Sequence, residues 1–148
     1  VPTAEAFLTE EERKRVAAAI GEAERLTSGE IRVHIEDHIE ENLLDHAAYV
    51  FEELGMRATR ERNGVLIYLS TMDRLVAVIG DEGINERVPP GFWDRTVALL
   101  KLHFAAGRQA EGLCEAVRMA ASLLAEHFPR HTDDVDELSD EVSIGRRR

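Results

Sequence analysis

The stretch RNGVLIYLSTMDRLVAVIGDEG, from Arg62 to Gly83, constrains the fold more than any other part of the chain. It holds two apolar runs, Val65–Leu69 and Leu75–Ile79, each about one strand long and rich in branched residues. The linker Ser70-Thr71-Met72-Asp73-Arg74 is short enough for a hairpin, so the two strands are expected to be antiparallel. Neither run alternates apolar with polar. A strand apolar on both sides is buried on both faces, so helices are expected over both faces of the sheet. Polar residues gather at the two ends of the hairpin. Ser70, Thr71, Asp73 and Arg74 stand at the turn, and Arg62, Asn63, Asp81 and Glu82 at the open end.

The flanking sequence supplies the helices expected over both faces of this sheet. Thr9 followed by Glu10, Glu11 and Glu12 reads as a capped helix start, with Thr9 as N-cap and Glu12 closing a capping box. Val16, Ile20, Ala23 and Leu26 continue the helix as one apolar stripe. Thr27-Ser28-Gly29 breaks it, and Glu30–Glu36 then alternates. Ile31, Val33 and Ile35 face one way and Glu30, Arg32, His34 and Glu36 the other, which predicts a half-exposed strand near a sheet edge. A helix from about Glu41 to Leu54 is expected to turn Leu44, Ala47, Ala48, Phe51 and Leu54 inward, with Gly55 ending it. Strand, helix and the Val65–Leu69 strand then form a βαβ unit with parallel strands. After the hairpin, Gly80–Gly83 is read as a turn and Ile84–Val88 as a short helical turn. Pro89-Pro90 opens a helix carrying Trp93, Val97, Leu100 and Phe104 as its stripe. A last helix from about Arg108 to His127 buries Leu113, Val117, Ala120 and Leu124 before Pro129 stops it. The expected division is one domain over residues 1–130, followed by an acidic and then basic extended tail over 131–148, with Val135, Leu138, Val142 and Ile144 as loose anchors.

Composition narrows the function classes. At 148 residues the chain is one domain, able to build a core without disulfides or metal. Its single cysteine, Cys114, falls in an apolar helical pattern and reads as a buried small hydrophobe. One unpaired thiol suits a reducing, cytoplasmic setting, although a chain that begins at Val1 leaves an upstream export signal open. The net charge of −11 argues against phosphate-mediated binding of nucleic acid and against an anionic membrane surface, and permits cations or basic partners. No apolar run approaches the ~18 residues of a membrane span.

Walker, dinucleotide-fingerprint, nucleophile-elbow and Cys-x-x-Cys motifs are all missing from the sequence. Asp134-Val-Asp136 lies in a polar tail, without the strand that paired phosphoryl-transfer aspartates need. His34 and His38 are four apart but leave a strand, so their spacing defines no zinc pair. Acidic clusters are better candidates, because hard cations such as Ca²⁺ take carboxylate, amide and carbonyl oxygens. The parallel strands start, and the antiparallel strand finishes, at one end of the sheet, which brings together Glu30, Asn63, Asp81 and Glu82. The opposite end gathers Glu36, Asp37, Ser70, Thr71 and Asp73, where open α/β sheets commonly bind ligands.

The succession of a helix, the T-S-G-E-I strand, a helix, the N-G-V-L-I-Y-L strand, D-R, V-A-V-I-G-D-E-G-I and an F-W helix resembles the TPM domain family. That family includes a thylakoid-lumen protein and a levamisole-receptor modulator. The resemblance covers roughly Thr9 to Phe128 and is nearest to the short bacterial members, whose tails read much like Val135-Asp-Glu-Leu-Ser-Asp-Glu-Val142. It implies an α/β/α sandwich. It also implies roles that the residues alone do not: Ca²⁺ or similar cation binding, acid phosphatase activity, membrane-complex repair, receptor modulation or protein quality control. The matching positions are Glu30, Asn63, Gly64, Gly80, Asp81 and Gly83. One departure concerns Arg62, which stands where many cation-binding relatives carry an acid.

The expected function is therefore that of a TPM domain acting through contacts with a protein partner, in assembly or quality control. No cofactor is expected to be required, and Glu30, Asn63, Asp81 and Glu82 are the expected site for weak Ca²⁺ binding, with Glu36, Asp37 and Asp73 as the second candidate set. The alternative is an acid phosphatase-like hydrolase using carboxylates at one end of the sheet, its catalytic residues unassigned.

Overall fold

A computed structural model describes residues 3–130 and 140–145. The elements are α1 (Ala4–Phe7), α2 (Glu10–Ala23), β1 (Glu30–Glu36), α3 (Leu43–Glu53), β2 (Gly64–Ser70), β3 (Leu75–Gly80), α4 (Glu82–Asn85), α5 (Asp94–Ala105), α6 (Gln109–His127) and β4 (Ser143–Gly145). A single 3₁₀ turn, Met56–Ala58, follows α3. The sheet is mixed, in the order β3-β2-β1-β4. β1 and β2 are parallel from Glu30 opposite Gly64 to Glu36 opposite Ser70, and β2 and β3 form the antiparallel hairpin.

Helices cover both faces. On one, Ile31, Val33, Ile35, Val65, Ile67 and Leu69 pack with residues of α2, α5 and α6. On the other, Leu66, Tyr68 and Ala77 pack with Ala47, Val50 and Phe51 of α3. Every residue of β2 is buried, as its unbroken apolar run requires. The Thr9 capping box is present: the Thr9 hydroxyl accepts from Glu12 N at 3.1 Å, and Thr9 N donates to Glu12 Oε1 at 2.8 Å.

Several expectations are corrected. β1 is not an edge strand, because Ser143–Gly145 pairs in parallel along its free side and makes a fourth strand. Its polar side chains are covered too: Glu30 and His34 are buried, and Arg32 and Glu36 half-buried. Val142 and Ile144 pack against the larger core, so the end of the tail is part of the sheet. His131, Asp134, Val135, Asp136 and Leu138 lie outside the described residues. α3 is rotated from the expected face. Val50 is buried, whereas Leu44 is 60% exposed and Ala48 lies on the solvent side. The Pro89-Pro90 segment forms a turn that precedes α5, and that helix starts at Asp94. The helical turn after the hairpin starts at Glu82, two residues earlier than read, because the Asp81 carboxylate caps it by accepting from Glu82 N at 2.7 Å. The lead-in before Thr9 contains α1, anchored by Ala4 N donating to Asp37 Oδ1 at 2.6 Å.

Candidate functional site

The open end of the hairpin holds two separate groupings. In the first, Arg62 adopts a left-handed conformation, φ 52°, and turns its guanidinium onto Asp81. Nε donates to Asp81 Oδ2 at 2.9 Å and Nη2 to Oδ1 at 3.2 Å, a bidentate fork. Glu82 stands 3.8 Å from Nη2. The Asp81 side chain is 2% exposed, so the carboxylate is buried and already neutralised by a cation of its own chain. Its hydrogen bond and charge hold Arg62 above the ordinary guanidinium pKa. Asn63 is also buried, its amide nitrogen donating to Ser28 Oγ at 3.2 Å and to Glu61 Oε2 at 3.1 Å. Asn63 Oδ1 has no hydrogen-bond partner among the described residues.

The second grouping was not anticipated. Glu30 does not join Asp81 but meets Glu24, the C-cap of α2, which in turn bonds Asp140, from the segment leading into β4. Ile31 N donates to Glu24 Oε2 at 3.1 Å. Burial, with hydrogen bonds to Glu30 and Asp140 and repulsion from Glu30, pushes the Glu24 carboxyl up to about 12. Two buried carboxyls this close favour holding one proton between them, so Glu24 and Glu30 titrate as a pair. Asp140 packs over Gly21, one turn before Glu24 on the same face of α2, where an added Cβ would lie 3.4 Å from Asp140 Oδ2. One sequence signal for Glu24 exists: it lies four residues past Ile20 and eight past Val16, an acid on the apolar stripe of its helix. No comparable pattern marks Asp140.

A group protonated in the fold and ionised in the unfolded chain gives stability that is complete below the unfolded pKa, near 4.5. That stability drains away as pH rises toward the folded value. Glu24→Gln keeps the shape and the hydrogen-bonding groups without an ionisable proton. It is expected to raise Tm at pH 8 by about 2–5 °C and to flatten the decline in Tm between pH 5 and 9. An unchanged slope in a melting series of both proteins would contradict the protonated cluster.

At the opposite end, Glu36 is the centre of a network. His34 Nε2 lies 3.0 Å from Oε1 and His46 Nε2 2.8 Å from Oε2, and the Tyr68 hydroxyl donates to Oε2 at 2.9 Å. Burial pulls the Glu36 carboxyl up, but the hydrogen bonds from His34 and Tyr68 outweigh it and leave the pKa below its ordinary value. Burial works against charge on His46 as well. Its contacts with Glu41, 2.6 Å from Nδ1, and with Glu36 prevail and raise its pKa. Burial and Glu36 together raise Tyr68 far above a free phenol. The other nitrogen of His34 meets Ser143 Oγ at 2.9 Å, so the network ties α3, β1, β2 and β4 together.

Asp73 forms a second, smaller group. Ser70 Oγ donates to Oδ2 at 2.5 Å, Ile39 N donates to Oδ2 at 2.9 Å, and His38 Nδ1 lies 2.8 Å from Oδ1. The Ser70 and Ile39 bonds, with His38, hold its carboxyl below the ordinary range. The order here is serine–carboxylate–imidazole, without the imidazole between hydroxyl and carboxylate that activates a serine. Asp37 is taken up by α1. The second candidate set is thus split, with Glu36, Asp37 and Asp73 each serving a different element. Among the described residues, no three His, Cys, Asp or Glu side chains are spaced to hold one metal ion as they stand.

An open mixed sheet with helices on both faces, acidic at the open end of its hairpin, defines a small α/β sandwich domain. The sequence profile of the TPM domain matches residues 1–123, and the chain belongs to that family. Among solved structures it is similar to the BA42 protein of the psychrophilic bacterium Bizionia argentinensis, at 44% identity and a TM-score of 0.89 over 95% of this chain and 97% of that one. The N-terminal domain of a P. gingivalis protein shares the fold at 23% identity and a TM-score of 0.68, over 84% and 82% of the two chains. No protein of curated function matched the chain. No helix among the described residues is long and apolar enough to cross a membrane.

Proposed function

We propose that this TPM domain works through contacts with a protein partner in assembly or quality control, and that Ca²⁺ binds it weakly as a modulator. The observation that carries this reading is the fork between Arg62 and Asp81. The family acid best suited to a metal or to hydrolytic chemistry is engaged by the chain's own cation and by the cap of α4.

The residues fit a hard cation in kind. Glu24, Glu30 and Asp140 supply carboxylate oxygens at the start of β1, and Asn63 carries a buried amide oxygen without a partner among the described residues. Their arrangement fits less well, since no three of the described acids are spaced to hold one ion and the Glu24–Glu30 pair favours a shared proton. Binding therefore requires that proton to leave and the carboxylates to move, which makes for a weak site. Asp81 and Glu82 join only if Arg62 is displaced.

Thermal melts test the cation. The unmodified protein should gain less than about 3 °C in 1 mM Ca²⁺, as expected for a Kd near that concentration. Glu30→Gln should gain nothing. Arg62→Asp should gain more, because it frees Asp81 and adds a ligand. A nitrophenyl phosphate assay run alongside decides the alternative. Turnover that vanishes in Asp73→Asn or Asp81→Asn would establish the hydrolase and overturn the contact role.

A further inference from the structure

A cleft of about 390 Å³ opens at the hairpin turn, between that turn, α1 and the α5–α6 junction. It lies at the far end of β2 from the carboxyl cluster, roughly 20 Å away at ~3.3 Å per strand residue. Its wall is largely apolar: Phe7 and Phe104 meet edge to face, with ring centroids 5.2 Å apart, and Leu69 and Val76 form the floor. Both charged side chains in its lining are cations, Arg74 and Lys101. Among the described residues, neither has an acidic partner. This is unusual in a chain of net charge −11. Asp73, the acid of the turn, has both oxygens committed to His38, Ile39 and Ser70. The first turn of α6 reaches the cleft at Gln109, and no side chain caps its N–H groups, so the helix dipole adds to the positive field.

We propose that this cleft binds a small organic acid, its carboxylate held by Arg74 and Lys101 and its hydrocarbon body laid on the Phe7–Phe104 wall. The volume accommodates roughly a dozen heavy atoms, at the ~30 Å³ that a water-sized group occupies. An apolar pocket with a few convergent polar groups is the usual form of a small-molecule site. A guanidinium provides the planar donor pair that a carboxylate accepts. Arg74 also sits at φ 56°, where glycine or asparagine is the less strained choice, so its side chain is kept at a conformational cost.

Octanoate, titrated against the full chain and followed by amide chemical shifts, tests this. Saturable shifts are expected at Ser70, Thr71 and Phe104, with a Kd of about 1 mM or tighter. Octanol should bind about tenfold more weakly, and Arg74→Gly and Lys101→Met should each weaken octanoate by about five- to tenfold. Arg74→Gly is a clean variant, because glycine suits the left-handed turn and its Tm should not fall. Equal binding of octanol and octanoate would reduce the cleft to an apolar crevice and overturn the proposal. So would full displacement of octanoate by an equal concentration of inorganic phosphate, which would make it a plain anion site. Shifts that stay linear up to about 20 mM octanoate would mean that no site exists.

Discussion

Trp93→Ala is expected to lower stability by about 3–5 kcal/mol and Tm by roughly 10 °C. Trp93 stands immediately before α5 and is 8% exposed, within the larger core that joins α2, α5 and α6 to the sheet. Phe92 packs edge-on against it, ring centroids 5.0 Å apart. Truncation removes the largest side chain of the chain at a point where the loop and helix cannot collapse independently. Its indole Nε1 is buried without a hydrogen-bond partner among the described residues, so Trp93 is held by packing alone. Trp93→Phe removes that unsatisfied donor and keeps an aromatic ring, and is expected to cost less than about 1.5 kcal/mol. Chemical denaturation of the three proteins checks both values. A loss below about 1 kcal/mol for alanine would mean that Trp93 adds little to the core.

The second large effect is expected at Gly83. A Cβ there would overlap the carbonyl oxygen of Glu61 and come 2.6 Å from that of Arg62. These are backbone atoms and cannot rotate away. Gly83 N donates to Arg62 O at 2.9 Å, so the first turn of α4 lies directly on the segment that presents Arg62 and Asn63. Gly83→Ala must push the two apart. A cost of about 3 kcal/mol is expected, at the upper end of ordinary overpacking because the obstacle is main chain. The same shift should loosen the Arg62–Asp81 fork. A thermal melt reads the first consequence, and the amide resonances of Asn63 and Gly64 read the second. A variant with unchanged Tm would show that the 61–62 segment has slack.

The hairpin and the βαβ unit were legible because their signals are local. Val65–Leu69 and Leu75–Ile79 are complete strands of branched residues, and five linker residues permit one pairing. β4 was not legible. Ser143-Ile144-Gly145 is too short to show a period, and it becomes a strand only by pairing with His34–Glu36, more than a hundred residues earlier. Without β4, the alternation of β1 pointed to a sheet edge, whereas Glu30 is instead engaged by Glu24, Glu36 by His46 and Tyr68, and His34 by Ser143. α3 was misaligned for a different reason. Leu43, Leu44, Ala47, Ala48, Val50, Phe51 and Leu54 cover most of its circumference, so periodicity could not choose the buried face.

The residues expected together at the open end of the hairpin fall into two groups. Asp81 lies under the Arg62 fork, whereas Glu30 lies against Glu24, which also bonds Asp140. Asp140 arrives with the C-terminal segment, so no reading of the three-strand sheet could place it. That segment is held at two points: Asp140 on the carboxyl cluster of α2 and β1, and Ser143 on His34. A cation drawn into Glu24, Glu30 and Asp140 would replace the shared proton and fasten β4 to β1 more tightly. In the proposed function, Ca²⁺ would then act through β4, the edge strand of the sheet.

Amide hydrogen exchange at Ile144 and Gly145, measured with and without saturating Ca²⁺, tests this claim most directly. Exchange should slow by about fivefold or more in Ca²⁺ in the unmodified protein, and Ca²⁺ should have no effect in Asp140→Asn. Equal rates with and without Ca²⁺ in the unmodified protein, or slowing that persists in Asp140→Asn, would contradict it.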